Sequence, residues 1–337
     1  MQQFHTKRPT GLFSVGDRVQ LTDPKGRLHT ITLEEKGFFN SSRGAFAHRE
    51  LIGKPEGTVV VSREGTEFLA LRPLLCDYVM SMPRGATIIY PKDAAQIIQM
   101  ADIFPGARVL EAGVGSGGMT LSLLQAVGES GYLHSIERRE DFREVAAANV
   151  DLWFGQRHPA WKLSIGDFQE VAYLEDERSI DRIVLDMLAP WECLDAAHYA
   201  LRPGGVLCVY VATVTQMSRT IEAFNAHNKW VAVHSWETLV RDWHVEGLAV
   251  RPMHSMVGHT GFLVSARALA KGEVPPRKGL RPAPAAQNKG GQWDEVTDWE
   301  ENKVGLRSAN ARKVRKITRD LQTKKDHARK NGHLKEY

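Results

Sequence analysis

The stretch Val109-Leu110-Glu111-Ala112-Gly113-Val114-Gly115-Ser116-Gly117-Gly118 decides the fold. An apolar strand ends beside an acid, glycines let the backbone turn where a Cβ would clash, and a segment of helical composition follows at 119–127. Amide N–H groups at such a helix start hold a polar ligand at close range. Gly113, Gly115 and Gly118 satisfy the dinucleotide spacing GxGxxG, a weak signal when it stands alone.

Outward from the turn, strands and helices alternate. Tyr132-Leu133-His134-Ser135-Ile136-Glu137 reads as a second strand, with a helix at 141–153 and further strands at 162–165, 181–186, 205–211 and 261–266. This rhythm predicts an α/β fold, a mostly parallel Rossmann-like sheet covered by helices on both faces. Before it, short alternating segments with glycine punctuation (16–21, 27–33, 57–62 and 67–71) predict a small β-barrel-like module. The expected division is 1–83 for that module, 84–270 for the α/β domain and 271–337 for a basic, linker-connected tail. Within the tail, Val314, Ile317 and Leu321 fall at helical spacing in a cationic stretch. It reads as a solvated tail, with an RNA-contacting arm as the sharper alternative.

Composition narrows the class. The 337 residues are 42% hydrophobic and 25% charged, enough for a sizeable core. The longest apolar run, 206–212, is far short of the roughly 20 residues a membrane helix needs. Three cysteines, Cys76, Cys193 and Cys208, form no CxxC pair, so neither a disulfide scaffold nor a cysteine-built metal site is expected. The sequence from Met1 to His5 lacks a cationic stretch followed by an apolar one, and a cytoplasmic location is expected. The net charge of +4 is unevenly spread: 271–337 carries 17 Lys and Arg against 9 Asp and Glu, leaving 27 against 31 in 1–270. A polyanionic partner must therefore be argued from local clusters.

Two cofactor classes compete for the glycine turn, a dinucleotide and S-adenosylmethionine. Glu111, just before the turn, suits a cationic amino group and would repel a pyrophosphate. Glu137 ends the second strand, where an acid accepts ribose hydroxyls in either cofactor. Asp167, in Gly166-Asp167-Phe168, adds a carboxylate suited to an exocyclic amine. Three acids at successive strand ends favour the sulfonium cofactor. On the acceptor side, Leu185-Asp186-Met187-Leu188-Ala189-Pro190-Trp191-Glu192 follows an apolar strand and places Asp186 where the crevice of an open sheet lies. Trp191 offers a flat surface for a base or a wall for the pocket. The blander alternative is a helix-capping Asp with a core Trp.

At this point the sequence resembles a known family, the bacterial and archaeal tRNA adenine-N1 methyltransferases acting on position 58 of the T loop. The resemblance rests on Ile89-Tyr90-Pro91-Lys92-Asp93, the 111–117 turn, Asp186-Met187-Leu188-Ala189-Pro190-Trp191 and Gly258-His259-Thr260. Arg43-Gly44 and His48 ahead of Leu51-Ile52-Gly53 also match, and the LDMLAPWE wording is like that of actinobacterial members. It covers 16–270 and leaves the tail out. It implies a class I methyltransferase sheet, S-adenosylmethionine as cofactor, tRNA as partner, a homotetramer and no metal. It further implies Asp186 and Tyr90 as catalytic residues. Glu111, Gly113, Gly115, Ser116, Gly117, Gly118, Met119, Glu137, Asp167 and Asp186 would then bind the cofactor.

A base inside a folded T loop must swing out to reach a recessed site, at a cost of a few kcal/mol that phosphate contacts offset. Lys92, Arg84 and Arg241 are candidates for those contacts. His259 reads as structural, and Trp230, Trp236 and Trp243 as core or subunit-interface residues. One rival is an NAD-linked oxidoreductase, which would need a catalytic cluster such as Tyr-x-x-x-Lys that is not found. The other is a non-catalytic RNA-binding subunit, which would have lost the acids and glycines present here.

Overall fold

A computed structural model of the chain describes residues 10–276. The proposed linker beyond Pro276, the helical spacing at 314–321 and most of the basic tail lie outside the described residues. The small module comes first. Strands β1 (Arg18–Thr22), β2 (Leu28–Thr32), β5 (Thr58–Val61) and β6 (Glu67–Leu71) form an antiparallel sheet in the order β2-β1-β6-β5, while β3 (Phe38–Ser41) and β4 (Gly44–Ala47) pair as a hairpin. Its own core gathers Phe39, Phe46 and Phe68, with ring centroids 5.2–5.9 Å apart. Such aromatic pairs add about 0.5–1.5 kcal/mol each beyond simple burial. Helix α1 (Leu75–Ser81) precedes residue 83, yet its Tyr78 and Val79 join the core of the large sheet.

That large sheet has seven strands: β7 (Arg108–Ala112), β8 (Tyr132–Glu137), β9 (Trp161–Ile165), β10 (Ile180–Asp186), β11 (Leu201–Val211), β12 (Trp230–Trp236) and β15 (Phe262–Ala268). Their order is β12-β15-β11-β10-β7-β8-β9, with β15 antiparallel to both neighbours and the other pairs parallel. The α/β expectation holds. A distinct strand at β12 was not foreseen. Ala232 takes a left-handed φ of 52° and the register shifts between Val231 and His234, which breaks the alternation that marks a strand. A separate hairpin, β13 (Trp243–Glu246) and β14 (Ala249–Pro252), also has no counterpart in the sequence reading.

Helices cover both faces. On one side lie α2 (Pro91–Met100), α3 (Gly118–Val127) and α4 (Glu140–Phe154); on the other lie α5 (Phe168–Val171), α6 (Leu194–Ala200) and α7 (Val214–Ala226). Side chains alternate across the strands. Val109, Leu133, Val184 and Cys208 enter one core, and Leu110, Ile136, Leu185 and Val209 the other. By the same period of two, Glu111, Glu137, Asp186 and Tyr210 share the face of Val109. Strand order reverses between β7 and β10, and in open sheets ligands bind in the crevice at the carboxyl ends there. Glu111 and Asp186 both stand at that switch point.

The turn after β7 has almost no room. Gly113 adopts φ +83°, and a Cβ on it would lie 1.7 Å from the main-chain oxygen of Asp186. Gly113→Ala is therefore expected to lower stability by about 2–3 kcal/mol, because both backbone strain and overlap must be relieved. Gly115→Ala, at φ +53° with its nearest neighbour 3.5 Å away, should cost about 1 kcal/mol. Urea unfolding of the two variants checks this ranking, and equal losses would contradict it.

Candidate active site

The site begins with an acid that the strand cannot avoid burying. Glu111 is 2% exposed. Its Oε1 and Oε2 accept hydrogen bonds from Thr120 Oγ1 on α3 at 3.0 and 2.8 Å, and Oε2 also accepts from Ser135 Oγ on β8 at 2.5 Å. Burial pushes its pKa up to about 7, against the pull of those hydroxyls, and the nearby Asp186 and Glu137 charges add to the rise. Neither Thr120 nor Ser135 stood out in the sequence. A polar residue at a core position of an apolar strand was the signal, and Ser135 carried it.

Glu137 closes β8. Its Oε2 accepts from the Gly115 amide at 2.9 Å, and Oε1 accepts from the amides of Arg138 and Arg139 at 2.9 and 3.1 Å. The glycine turn is thus tied to the second strand through a carboxylate, and the acid is fixed at the crevice edge. Asp186 is half-buried, takes no hydrogen bond from any described residue, and has its pKa raised to about 7 by burial first and Glu137 second. Among the described residues, none of these three carboxylates has a Lys, Arg or His ion-pair partner. Three neighbouring acids without a cation leave a demand for positive charge that a ligand can meet.

Gly117 caps α3 in the left-handed conformation at φ +88°, and Gly118 starts the helix. Ser116 is buried, where its Oγ accepts from the Gly85 amide at 3.2 Å. Asn149 on α4 donates to the carbonyls of Pro83 and Ser116 at 2.8 and 2.9 Å. It clamps the turn to the 83–86 segment, a role the sequence reading missed, although a polar residue on the buried stripe of a helix invites the question. Met119 sends its side chain into the core, so only its main chain can face a ligand. Asp167 is less available than expected, since its Oδ1 pairs with Arg138 Nε at 2.6 Å on the surface.

Opposite the turn, Tyr90 is the N-cap of α2, with Pro91 at the first helical position. Behind it lies a buried network. Lys92 Nζ donates to Asp93 Oδ1, the Thr238 carbonyl and Thr260 Oγ1, each at 2.7 Å; Thr260 Oγ1 donates to Asp93 Oδ2, and Tyr210 Oη donates to the Thr260 carbonyl, also at 2.7 Å. Lys92 is therefore corrected from a phosphate contact to an internal tie, because all three of its donors are taken. His259 Nε2 hydrogen-bonds the Ala212 carbonyl oxygen at 2.8 Å. Burial raises the Tyr210 pKa, and the charges of Asp93 and Asp186 reinforce it.

Trp191 carries the Arg219 guanidinium 4.3 Å above its ring, while its Nε1 is buried without an acceptor. Gln216 Nε2 on α7 donates to the Leu188 carbonyl at 2.9 Å and steadies the loop after Asp186. Trp230 is core at 3% exposure, but Trp243, at 58%, is not. Among the described residues no group of three or more His, Cys, Asp or Glu is arranged to hold a metal ion, and no helix is long and apolar enough to cross a membrane.

Comparison with known proteins adds an independent line. Residues 11–60 match the family described as TrmI-like N-terminal, and residues 68–250 match the tRNA methyltransferase complex GCD14 subunit family. The chain is 37% identical over 253 residues, 73% of its length and 95% of the relative's, to tRNA (adenine(58)-N(1))-methyltransferase TrmI of Thermus thermophilus. It is 31% identical, over 63% of its own length and 82% of the other's, to the adenine(57)/adenine(58) enzyme of Methanocaldococcus jannaschii. A crystal structure of tRNA (m1A58) methyltransferase TrmI from Aquifex aeolicus superposes with a TM-score of 0.69 at 26% identity, covering 77% of this chain and all of that one. A SAM-dependent O-methyltransferase structure from Thermotoga maritima gives 0.73 at 30% identity, covering 77% and 96%.

The raised acids make a measurable prediction. A carboxyl whose folded pKa lies above its unfolded value stabilises the fold at low pH, and that stability is lost as pH rises through the folded value. For Glu111, moving from 4.5 to about 7, the contribution is about 3 kcal/mol. The stability of the ligand-free protein minus that of Glu111→Gln should therefore fall by about this amount between pH 4.5 and pH 8. Denaturant titrations at both pH values test it, and a flat difference would mean that Glu111 is ionised throughout.

Proposed function

We propose how the site works from one premise: the chain belongs to the tRNA (adenine-58-N1)-methyltransferase family. On that basis it is a cytoplasmic enzyme that methylates N1 of adenine 58 in the T loop of tRNA. The observation that carries the reading is the trio of unpaired carboxylates at the switch point, facing a turn where a Cβ on Gly113 would fill the space. That donor set fits S-adenosylmethionine, which when bound supplies an activated methyl group on a sulfonium. It does not fit a pyrophosphate, which the three negative charges would repel.

Glu111, the amides of the 113–118 turn and the Met119 main chain would hold the amino-acid end of the cofactor. Glu137 would hold its ribose. Asp167 would reach the adenine only by sharing its carboxylate with Arg138. Adenine N1 is a neutral lone pair and needs no strong base. What develops during its methylation is positive charge on the purine, and Asp186 meets it with a carboxylate that has no competing hydrogen bond. Because burial sets its pKa near 7, Asp186 Oδ can also accept the proton released from N6. Tyr90 would orient the purine against the Lys92–Asp93 tie.

The hairpin of β13 and β14 supports a homotetramer. Trp243, Val245 and Val250 are more than half exposed and Leu248 is fully exposed, in a two-stranded ribbon that is marginal by itself. A copy of the same chain is the partner we propose for it.

Two outcomes follow. Asp186→Ala should reduce turnover at least 100-fold while adenosylmethionine binding changes by less than about threefold. Nucleoside mass spectrometry of T-arm RNA incubated with protein and labelled cofactor reads the first, calorimetry the second, and near-normal turnover would remove Asp186 from its role. Light scattering should find four copies in solution, and the double substitution Val245→Glu, Leu248→Glu should give smaller species. A monomeric parent protein would end the oligomer reading.

A further inference from the structure

RNA must reach a crevice that is crowded with acids, on a core whose 1–270 segment is itself net negative. Several cations are committed elsewhere, while Arg84 and Arg241 are exposed and pair with no carboxylate among the described residues. Lys92 is locked into its internal tie, Arg138 pairs with Asp167, Arg139 with Asp141, and Lys229 with Asp195. Arg219 too is exposed and has no carboxylate partner among the described residues.

Its position is fixed by two contacts of α7. Gln216, one turn earlier on the same helix face, donates to the carbonyl of Leu188, two residues after Asp186. The guanidinium carbon of Arg219 itself lies over Trp191, five residues after Asp186, 4.3 Å from the ring centroid. Cation–π stacking satisfies one face of the guanidinium and leaves its N–H edges free, the geometry that binds a phosphate bidentately. Asp186 lies level with Tyr210 on β11, the strand that leads into α7, and the segment from Leu188 to Trp191 that follows Asp186 carries both the Gln216 and the Arg219 contacts.

We infer that Arg219, held over the Trp191 ring, contacts a backbone phosphate flanking the target adenosine. This deepens the methyltransferase reading and rests on it. The contact is electrostatic and positions the RNA; it takes no part in the bond-making at N1. Trp191 is the platform, and its indole N–H contributes nothing, since it has no acceptor.

The test uses the full chain and a T-arm RNA, with binding measured at several salt concentrations. Removing one phosphate contact lowers the slope of log K against log salt by about 0.7–0.9. Arg219→Gln should show that drop, with KM for RNA rising about tenfold, kcat changing less than twofold and adenosylmethionine affinity unmoved. Trp191→Phe keeps a ring under the guanidinium and should retain the parent slope, whereas Trp191→Ala should lose part of it. An unchanged slope and KM in Arg219→Gln would overturn the inference, as would an equal loss in Trp191→Phe and Trp191→Ala. If the parent protein methylates the RNA while Arg219→Gln behaves like it, only this inference falls. If the parent transfers no methyl group at all, the underlying functional reading falls first.

Discussion

Like charges held together at the mouth of a sheet constrain everything else in this molecule. Glu111, Glu137 and Asp186 stand on one face because strands alternate, and they stand at one end because Glu137 and Asp186 close their strands and Glu111 is the penultimate residue of its own. No described cation neutralises them. The fold tolerates this by surrounding the acids with donors: hydroxyls of Thr120 and Ser135 for Glu111, and amides of residues 115, 138 and 139 for Glu137. Among the described residues, Asp186 alone of the three is left without a donor. Structural carboxylates are usually satisfied from within the protein, and Asp186 is the exception that the proposed reading assigns to chemistry.

The glycine turn then reads as a geometric consequence. Glu111 stands beside Val184 and Asp186 lies two residues further along β10, so the chain leaving β7 passes the Asp186 carbonyl at Gly113 with no side chain between them. Asn149 and Ser116 hold that passage from the other side by bonding to the 83–86 segment. The glycine turn and the end of β10 are therefore one piece of packing, with helices α3 and α4 as its backing.

Much of this was legible in the sequence, and for identifiable reasons. The stretches 109–111 and 183–186 are apolar runs ending in an acid, and a glycine turn follows the first directly, so both the sheet and its acids could be read. What escaped were features set by partners remote in sequence. Lys92 looked like a free cation because Thr238 and Thr260, which occupy it, come from more than 140 residues away. Asp167 looked available because Arg138 gives no local sign of pairing with it. The strand β12 was hidden by a bulge, and the β13–β14 hairpin by its poverty of turn signals other than Gly247. Thr120, Asn149 and Gln216 were invisible for a simpler reason: a single polar side chain in a helix carries no pattern.

The tie between Lys92, Asp93 and Thr260 has a temporal meaning as well as a spatial one. It joins the start of α2, made early on the ribosome, to the loop before β15, the last strand of the sheet. Until that strand emerges and inserts between β11 and β12, a buried lysine and aspartate lack the hydroxyl between them, and Tyr90 has no fixed backing. The tie between the start of α2 and the end of the sheet therefore forms only once the loop before β15 is in place.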